Sequence, residues 1–269
     1  MGTSDLIPGV SGGTVALIVG VYERLIGSIA EITSSSSLRA LLHGRLGAFW
    51  QAINGWFLVT LVGGMAVAIF GFAGIIAWLL EHHATATDAV FFGLIARATW
   101  HVARDGDNGL WGSRAMFIPG SAVALAVVTQ PSFVLEASPV TLMVGGALAA
   151  TAMLLPGISG AFVLLILGLY ATVVNGVAAL DLAVLAPVGL GILLGAFSVA
   201  RLMGSVLRRY PASTKMTLAG FMLGSLPAVW PFAQGWSADS SSPAWLLVIL
   251  IAAGAGLVVL LERVKPSRP

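Results

Sequence analysis

Cysteine is absent from this 269-residue chain and charge is scarce, with 9% of residues charged against 58% hydrophobic. Without cysteine there is no disulfide framework and no thiol-based metal or redox site. A soluble domain carries about 25% charged residues, so the composition excludes an ordinary soluble fold and indicates an all-α integral membrane protein. The four histidines (His43, His82, His83 and His101) and the acids fall in no HExxH-like spacing, so neither a metal nor a cofactor is expected. A net charge of +2 suits cationic loops on anionic lipid rather than a nucleic-acid surface. The opening Met1-Gly2-Thr3-Ser4-Asp5 has neither the basic region nor the cleavage-type site of a secretory signal.

What the chain does contain is a motif written twice. Ile7-Pro8-Gly9-Val10-Ser11-Gly12-Gly13-Thr14 closes on Gly20 and Tyr22, and Leu155-Pro156-Gly157-Ile158-Ser159-Gly160-Ala161 closes on Gly168 and Tyr170. Pro8 and Pro156, Gly20 and Gly168, and Tyr22 and Tyr170 are each 148 positions apart, so the match is ungapped. Each copy sets a proline, glycines and hydroxyls before an apolar helical run. No Gly-Lys-Ser/Thr follows, so neither copy is a P-loop. Broken helices in matching positions of two halves point to a transporter's binding site.

The halves also match beyond the motif. Gly64 and Gly191, Phe70 and Phe197, Ala73 and Ala200, Thr87 and Thr214, and Gly93 and Gly220 share an offset of 127. The difference reflects extra sequence in the first half around 24–50, where the serine run 34–37 reads as a loop. The first repeat is placed at 1–130, with a re-entrant motif at 5–32 and spans near 56–80, 87–103 and 115–129. The second is placed at 131–269, with a re-entrant hairpin at 139–177 and spans near 186–207, 214–231 and 244–261. Three crossings per copy invert the second copy, giving two halves of opposite topology, each a re-entrant hairpin plus three transmembrane helices. Arg24, Arg39, Arg45, Arg208, Arg209 and Lys215, the 104–114 cluster and the C-terminal tail fall on one side, which the positive-inside rule makes cytoplasmic. The opposite loops carry Glu81, Asp88, Glu136, Asp181 and Asp239 without lysine or arginine.

In such an arrangement both motifs reach mid-membrane. A helix that starts there exposes unpaired N–H groups and roughly half a positive charge, and so attracts an anion. Gly9, Ser11, Gly12, Gly13 and Thr14 in one copy, and Gly157, Ser159 and Gly160 in the other, are the expected phosphate-binding residues. The competing reading is close helix packing through small residues. Arg97 and Arg201 interrupt apolar segments, and each is either an anion contact or a side chain snorkelling to headgroups. Asp5 and Glu23 flank the first motif without acidic counterparts at Met153 and Ala171. They are candidates for a coupling proton or sodium ion, or are interface residues.

The stretches Asp5–Thr14 with Tyr22-Glu23, and Leu155–Gly160 with Leu167-Gly168-Leu169-Tyr170, resemble the PopT-type undecaprenyl-phosphate translocases. Phe197-Ser198 with Arg201 and the run 220–225 extend the likeness over essentially the whole chain. The resemblance implies that the protein returns a polyprenyl-phosphate carrier from the outer to the inner leaflet of the bacterial cytoplasmic membrane, for reuse in envelope synthesis. A phosphomonoester does not cross hydrocarbon bare, whereas its isoprenoid tail needs no pore. The alternative is an ion-coupled transporter of a small soluble anion. A membrane phosphatase, the enzymatic option, is disfavoured because no histidine lies near either motif. By inversion symmetry an incoming arm is expected before Ile7, and with it a start upstream of Met1.

Overall fold

The computed structural model describes residues 1–5, 11–133, 135–232 and 243–263, which are helical with no strand among them. The chain begins with α1 (Gly2–Asp5), then α2 (Gly12–Ile18) and α3 (Tyr22–Ile32). The serine run does not form the expected loop. Ser34 caps α4 (Ser35–Leu42), its Oγ accepting from the Ser37 N–H at 3.1 Å. Glu31 accepts from the hydroxyls of Ser34, Ser36 and Ser37. Serine is a poor interior helix residue but a preferred N-cap, and composition does not separate the two roles.

Next come α5 (Leu46–Ala52), α6 (Gly55–His82) and α7 (Ala84–Gly106), followed by α8 (Trp111–Ala115) and α9 (Phe117–Val128). The second half holds α10 (Pro139–Leu154), α11 (Gly160–Ile166), α12 (Tyr170–Ala179), α13 (Leu182–Arg209) and α14 (Pro211–Ser225). A 3-10 turn (Leu226–Val229) follows α14, and α15 (Ala244–Arg263) comes last. The start of α10 is written locally: Ser138 and Thr141 form a capping box and Pro139 occupies the first turn, where its missing N–H costs nothing. The helix stops at Leu155, which takes the extended geometry (φ −86°, ψ 128°) that a following proline imposes.

Among the described residues four stretches are long and apolar enough to cross a bilayer: α6, 111–128, α13 and α15. The protein is therefore a multi-pass membrane protein. Two expected spans differ from this type. α7 has the length but carries Arg97, His101 and Arg104, and α14 gives way to the 3-10 turn, where Pro227 removes a backbone donor. The span expected at 115–129 starts earlier, at Trp111.

The stretch 139–177 turns back on itself. The N–H groups of Phe133 and Leu135, just before α10, donate to the carbonyls of Ile166 and Leu167 at the end of α11. The chain thus returns beside the point where it entered, and α11 and α12 then diverge by 114°. Gly168 at that break has φ 70°, and Gly20, between α2 and α3, has φ 77°. Only glycine takes this left-handed geometry at little cost, so the two glycines paired in the sequence make the same turn.

Other paired positions also share geometry. α6 and α13 are each 28 residues long, about 42 Å at the helical rise. They end on His83 (φ −140°, ψ 40°) and Tyr210 (φ −137°, ψ 61°). One turn into the following helix, Thr87 and Thr214 donate to the carbonyls of those two residues at 2.9 and 2.7 Å.

Glycine sets how closely the helices approach. Gly93 of α7 lies against the Ile251 carbonyl and Gly254 of α15 against that of Val90, leaving no room for a side chain. Gly220 and Gly224 of α14 meet the Phe117 and Ser121 carbonyls of α9, and Gly191 and Gly195 of α13 meet those of Met143 and Ala147 on α10. Contact positions rise together in the last two pairs, so those helices run parallel. Small residues at such crossings let backbones pack closely, which drives helix association in lipid. By contrast, Gly55 is the only buried residue of α6, as suits a helix facing lipid.

Candidate functional site

The centre of the molecule is the place where α10 ends. Its last carbonyls have no intrahelical partners and carry partial negative charge. Residues of the first motif supply the donors. The Ser11 hydroxyl lies 3.3 Å from the Met153 carbonyl and 3.2 Å from that of Leu155. Tyr22, only 1% exposed, donates its phenolic O–H to the Leu154 carbonyl at 3.0 Å. In return the Gly157 N–H donates to Thr14 Oγ1 at 3.1 Å. Gly13 lies against the Met153 and Leu154 carbonyls, where even a methyl group would be tight.

The structure therefore brings Ser11, Gly13 and Thr14 of the first motif onto Gly157 and the end of α10. Pro8 and Gly9 lie outside the described residues. Gly157 has φ 93°, and a Cβ there would lie 2.8 Å from the Phe221 carbonyl of α14. A Cβ on Gly160 would lie 2.5 Å from the Ala149 carbonyl. Both glycines are thus required by close backbone packing.

The two half-helix starts, alike in sequence, differ in surroundings. At α2 the Ser11 side chain accepts from the Gly13 N–H at 3.1 Å, and the Asp5 carboxylate accepts from the Gly12 N–H at 2.7 Å. An internal carboxyl group thus occupies the position where an anion was expected, while the second Asp5 oxygen is buried without a partner. At α11 no acid stands in the equivalent place. Ser159 is 4% exposed and its side chain makes no capping hydrogen bond. A hydroxyl donor and the N–H groups of the first turn are left there for another acceptor.

The remaining candidates lie elsewhere. Arg97 donates to Glu262 of α15 at 3.0 Å and stacks on Trp100 with its guanidinium 4.4 Å from the ring centre. Arg201 is exposed on α13, and among the described residues no hydrogen bond or ion pair joins its side chain to the motifs. Glu23 lies 3.5 Å from Lys215, which also donates to Asp105 at 2.7 Å, so one lysine ties α3, α7 and α14 together. Among the described residues no group of three acids or histidines is placed to hold a metal ion.

Sequence reasoning assigned no role to Tyr22, Lys215 or Glu262. Tyr22 was visible as a motif member, but its acceptor depends on where α10 stops. Glu262 belongs to the most apolar stretch of the chain's end, and nothing local to it signals a partner on α7.

A cleft of about 350 Å3 lies at the corner between α13 and α14, lined by Met116, Met203, Val206, Tyr210, Thr214 and Leu218. Leu218 and Met203 also pack in the cluster that buries Tyr22 and Leu154.

Known proteins match this chain over most of its length. The profile of a family described as undecaprenyl phosphate translocase-like matches residues 1–244. A polyprenyl-phosphate transporter of Vibrio cholerae serotype O1 is 38% identical over 243 residues, covering 90% of this chain and 79% of the relative. One of Staphylococcus aureus is 31% identical over 249 residues, covering 86% of this chain and 83% of the relative. No solved structure matches the chain. By the match over residues 1–244, the chain belongs to the undecaprenyl phosphate translocase-like family.

Proposed function

We propose that the protein carries a polyprenyl phosphate, in its usual form undecaprenyl phosphate, from the outer to the inner leaflet of the bacterial cytoplasmic membrane. The observation that carries this reading is the junction of the two motifs at the end of α10, with an apolar cleft at the corner between α13 and α14. The phosphate needs donors in a low-dielectric setting, and the isoprenoid needs only an apolar groove. Ser159, Gly160 and the first turn of α11 are the primary headgroup contacts in this proposal. The α2 turn, from Gly12 to Thr14, is released to the headgroup when Asp5 withdraws. Arg201 and Arg97 meet the phosphate nearer the surface. The relatives, both polyprenyl-phosphate transporters by name, support the same substrate class.

Two inverted halves, 1–130 and 131–269, explain the shared geometry of α6 with α13, of His83 with Tyr210, and of Gly20 with Gly168. Rocking one half against the other would expose the junction to each leaflet in turn. The basic end of the bundle, with the C-terminus, is cytoplasmic on this reading. Asp5 and Glu23 remain the proposed contacts for a coupling proton or sodium ion. The protein acts as a transporter and not as an enzyme. The cleft lined by Met203, Val206 and Leu218 favours a lipid over a small soluble anion.

The test is purified protein in vesicles carrying labelled polyprenyl phosphate, with leaflet exchange followed by accessibility of the phosphate. Exchange above protein-free vesicles, inhibited by unlabelled polyprenyl phosphate but not by inorganic phosphate, is expected. Inhibition by inorganic phosphate alone would overturn the lipid reading.

A further inference from the structure

Helices α6 and α13 match in the sequence, with Gly64 answering Gly191 and Ala73 answering Ala200 at the offset of 127. On α13 the shared face is covered. Gly191 and Gly195 lie against the Met143 and Ala147 carbonyls of α10, and Gly146 of α10 lies against the Val188 carbonyl, so the crossing has no room for side chains at these glycines. Val188 is 5% exposed and packs with Leu142.

On α6 the same face is open. Leu61, Gly64 and Ala68 stand where α13 has Val188, Gly191 and Gly195. A Cβ on Gly64 would meet nothing within 4 Å, and Gly64 is exposed where Gly191 is buried. What identifies the missing partner is one turn of helix already seated at the end of this face. Gly2 of α1 lies against the Met65 carbonyl, and a Cβ there would be 2.9 Å from Ala68 Cβ. At the motif offset of 148 Gly2 answers Ala150, and at the offset of 127 Met65 answers Ile192. Those two positions are one turn beyond the contact of Gly146 with Val188. α1 thus sits on α6 in the register in which α10 sits on α13, and the face that continues from Gly64 toward Leu61 is left uncovered.

We propose that this face of α6 is a docking surface for a further apolar helix of the α10 type. The helix lies in line with α1 and parallel to α6, and it turns small residues at the spacing of Gly146 and Ala150 toward Leu61 and Gly64. Lipid offers helices no hydrophobic gain on meeting, so association depends on close backbone approach. Gly64 permits that approach. α6 carries no charge before Glu81, which suits an uncharged partner. The α10 of a second copy is already held by its own α13, so a copy of this chain does not supply the helix. Docking prolongs the contact of α1 with α6. Through α1 it steadies Asp5, whose carboxyl accepts from the Gly12 N–H at 2.7 Å.

The chain has no cysteine, so one introduced thiol reports contact without background. The probe is a synthetic peptide with the sequence of residues 136–156 and the change Leu142→Cys, reconstituted in vesicles with Leu61→Cys protein. Leu61 stands where Val188 stands on α13, and Val188 packs with Leu142. Val59→Cys is the control, because two residues along a helix turn a side chain about 200° away. Disulfide formation is expected to be about tenfold greater at Leu61→Cys than at Val59→Cys. It should fall about tenfold when the protein also carries Gly64→Leu, or when the peptide carries Gly146→Leu, which corresponds to a docking loss of about 1.4 kcal/mol. The peptide change leaves the protein untouched, so it reports even where Gly64→Leu disturbs folding. Equal cross-linking at the two cysteines, or yields that neither leucine lowers, would overturn the proposal. Leu61→Cys protein that cross-links to a second copy in preference to the peptide would assign the face to a dimer, and would overturn it as well.

Discussion

The N–H of Gly157 donates to Thr14 Oγ1 at 3.1 Å, joining two residues that lie 143 positions apart. This bond, with those from Ser11 and Tyr22 to the end of α10, makes each motif the partner of the other. In lipid no water is on hand to replace such partners, and each unpaired backbone group costs several kcal/mol. The junction is thus a requirement for ending a helix inside the membrane.

Replacing Thr14 by valine removes the acceptor and leaves the Gly157 N–H buried and unpaired. The expected loss is about 1–3 kcal/mol of stability, read as a lower melting temperature in detergent. Thr14→Ser keeps the oxygen and should behave as wild type. A valine variant as stable as wild type would show that the bond contributes nothing.

Ser11 and Ser159 occupy the same place in their motifs and should fail differently. Ser11 caps α2 and reaches two carbonyls of α10, so Ser11→Ala should lower stability by about 1–2 kcal/mol. Ser159 makes no capping bond, so Ser159→Ala should melt with wild type yet transport the lipid several-fold more slowly. Full transport by a folded Ser159→Ala protein would remove this hydroxyl from the headgroup site.

At Gly157 a side chain meets two obstacles, the positive φ of 93° and the Phe221 carbonyl 2.8 Å from the new Cβ. Alanine is expected to cost more than the roughly 1 kcal/mol of a left-handed conformation alone. Gly63 and Gly64 of α6 have nothing within 4 Å, and alanine there should be neutral or slightly stabilising. Equal melting temperatures for all three variants would contradict this account.

Lys215 holds Asp105 at 2.7 Å and Glu23 at 3.5 Å. Because both acids are well exposed, a double-mutant cycle between Lys215→Met and Asp105→Asn should give a coupling of only about 0.5–1 kcal/mol. A coupling of several kcal/mol would mean the pair is shielded from water.

Outside the membrane, Asp107 accepts from Arg114 at 2.8 Å, and that hydrogen bond holds its carboxyl below the usual carboxylate range. A depressed folded pKa means the pair's contribution is present above the unfolded pKa and is lost as pH falls through the folded value. Arg114→Gln should raise the Asp107 titration, followed by NMR, toward the ordinary range, with the Gly109 N–H keeping part of the shift. An unmoved titration would assign the shift to another cause.

What the sequence determined by itself was whatever is encoded locally or by repetition. The scarcity of charge placed the chain in a membrane. The proline at 156 marked the end of α10, and Gly20 and Gly168, matched in the sequence, take turns of the same hand. The helix at Ser35–Leu42 was missed because capping depends on how Ser34 is oriented. Only the tertiary structure decided which partners meet. Asp5 at the start of α2 makes two near-identical motifs unequal, and Glu262 claims Arg97 from a helix 165 positions away. Local sequence sets backbone geometry within a few residues. The pairing of a buried charge or an orphaned carbonyl is settled by helix packing, in a medium that leaves it no water to fall back on.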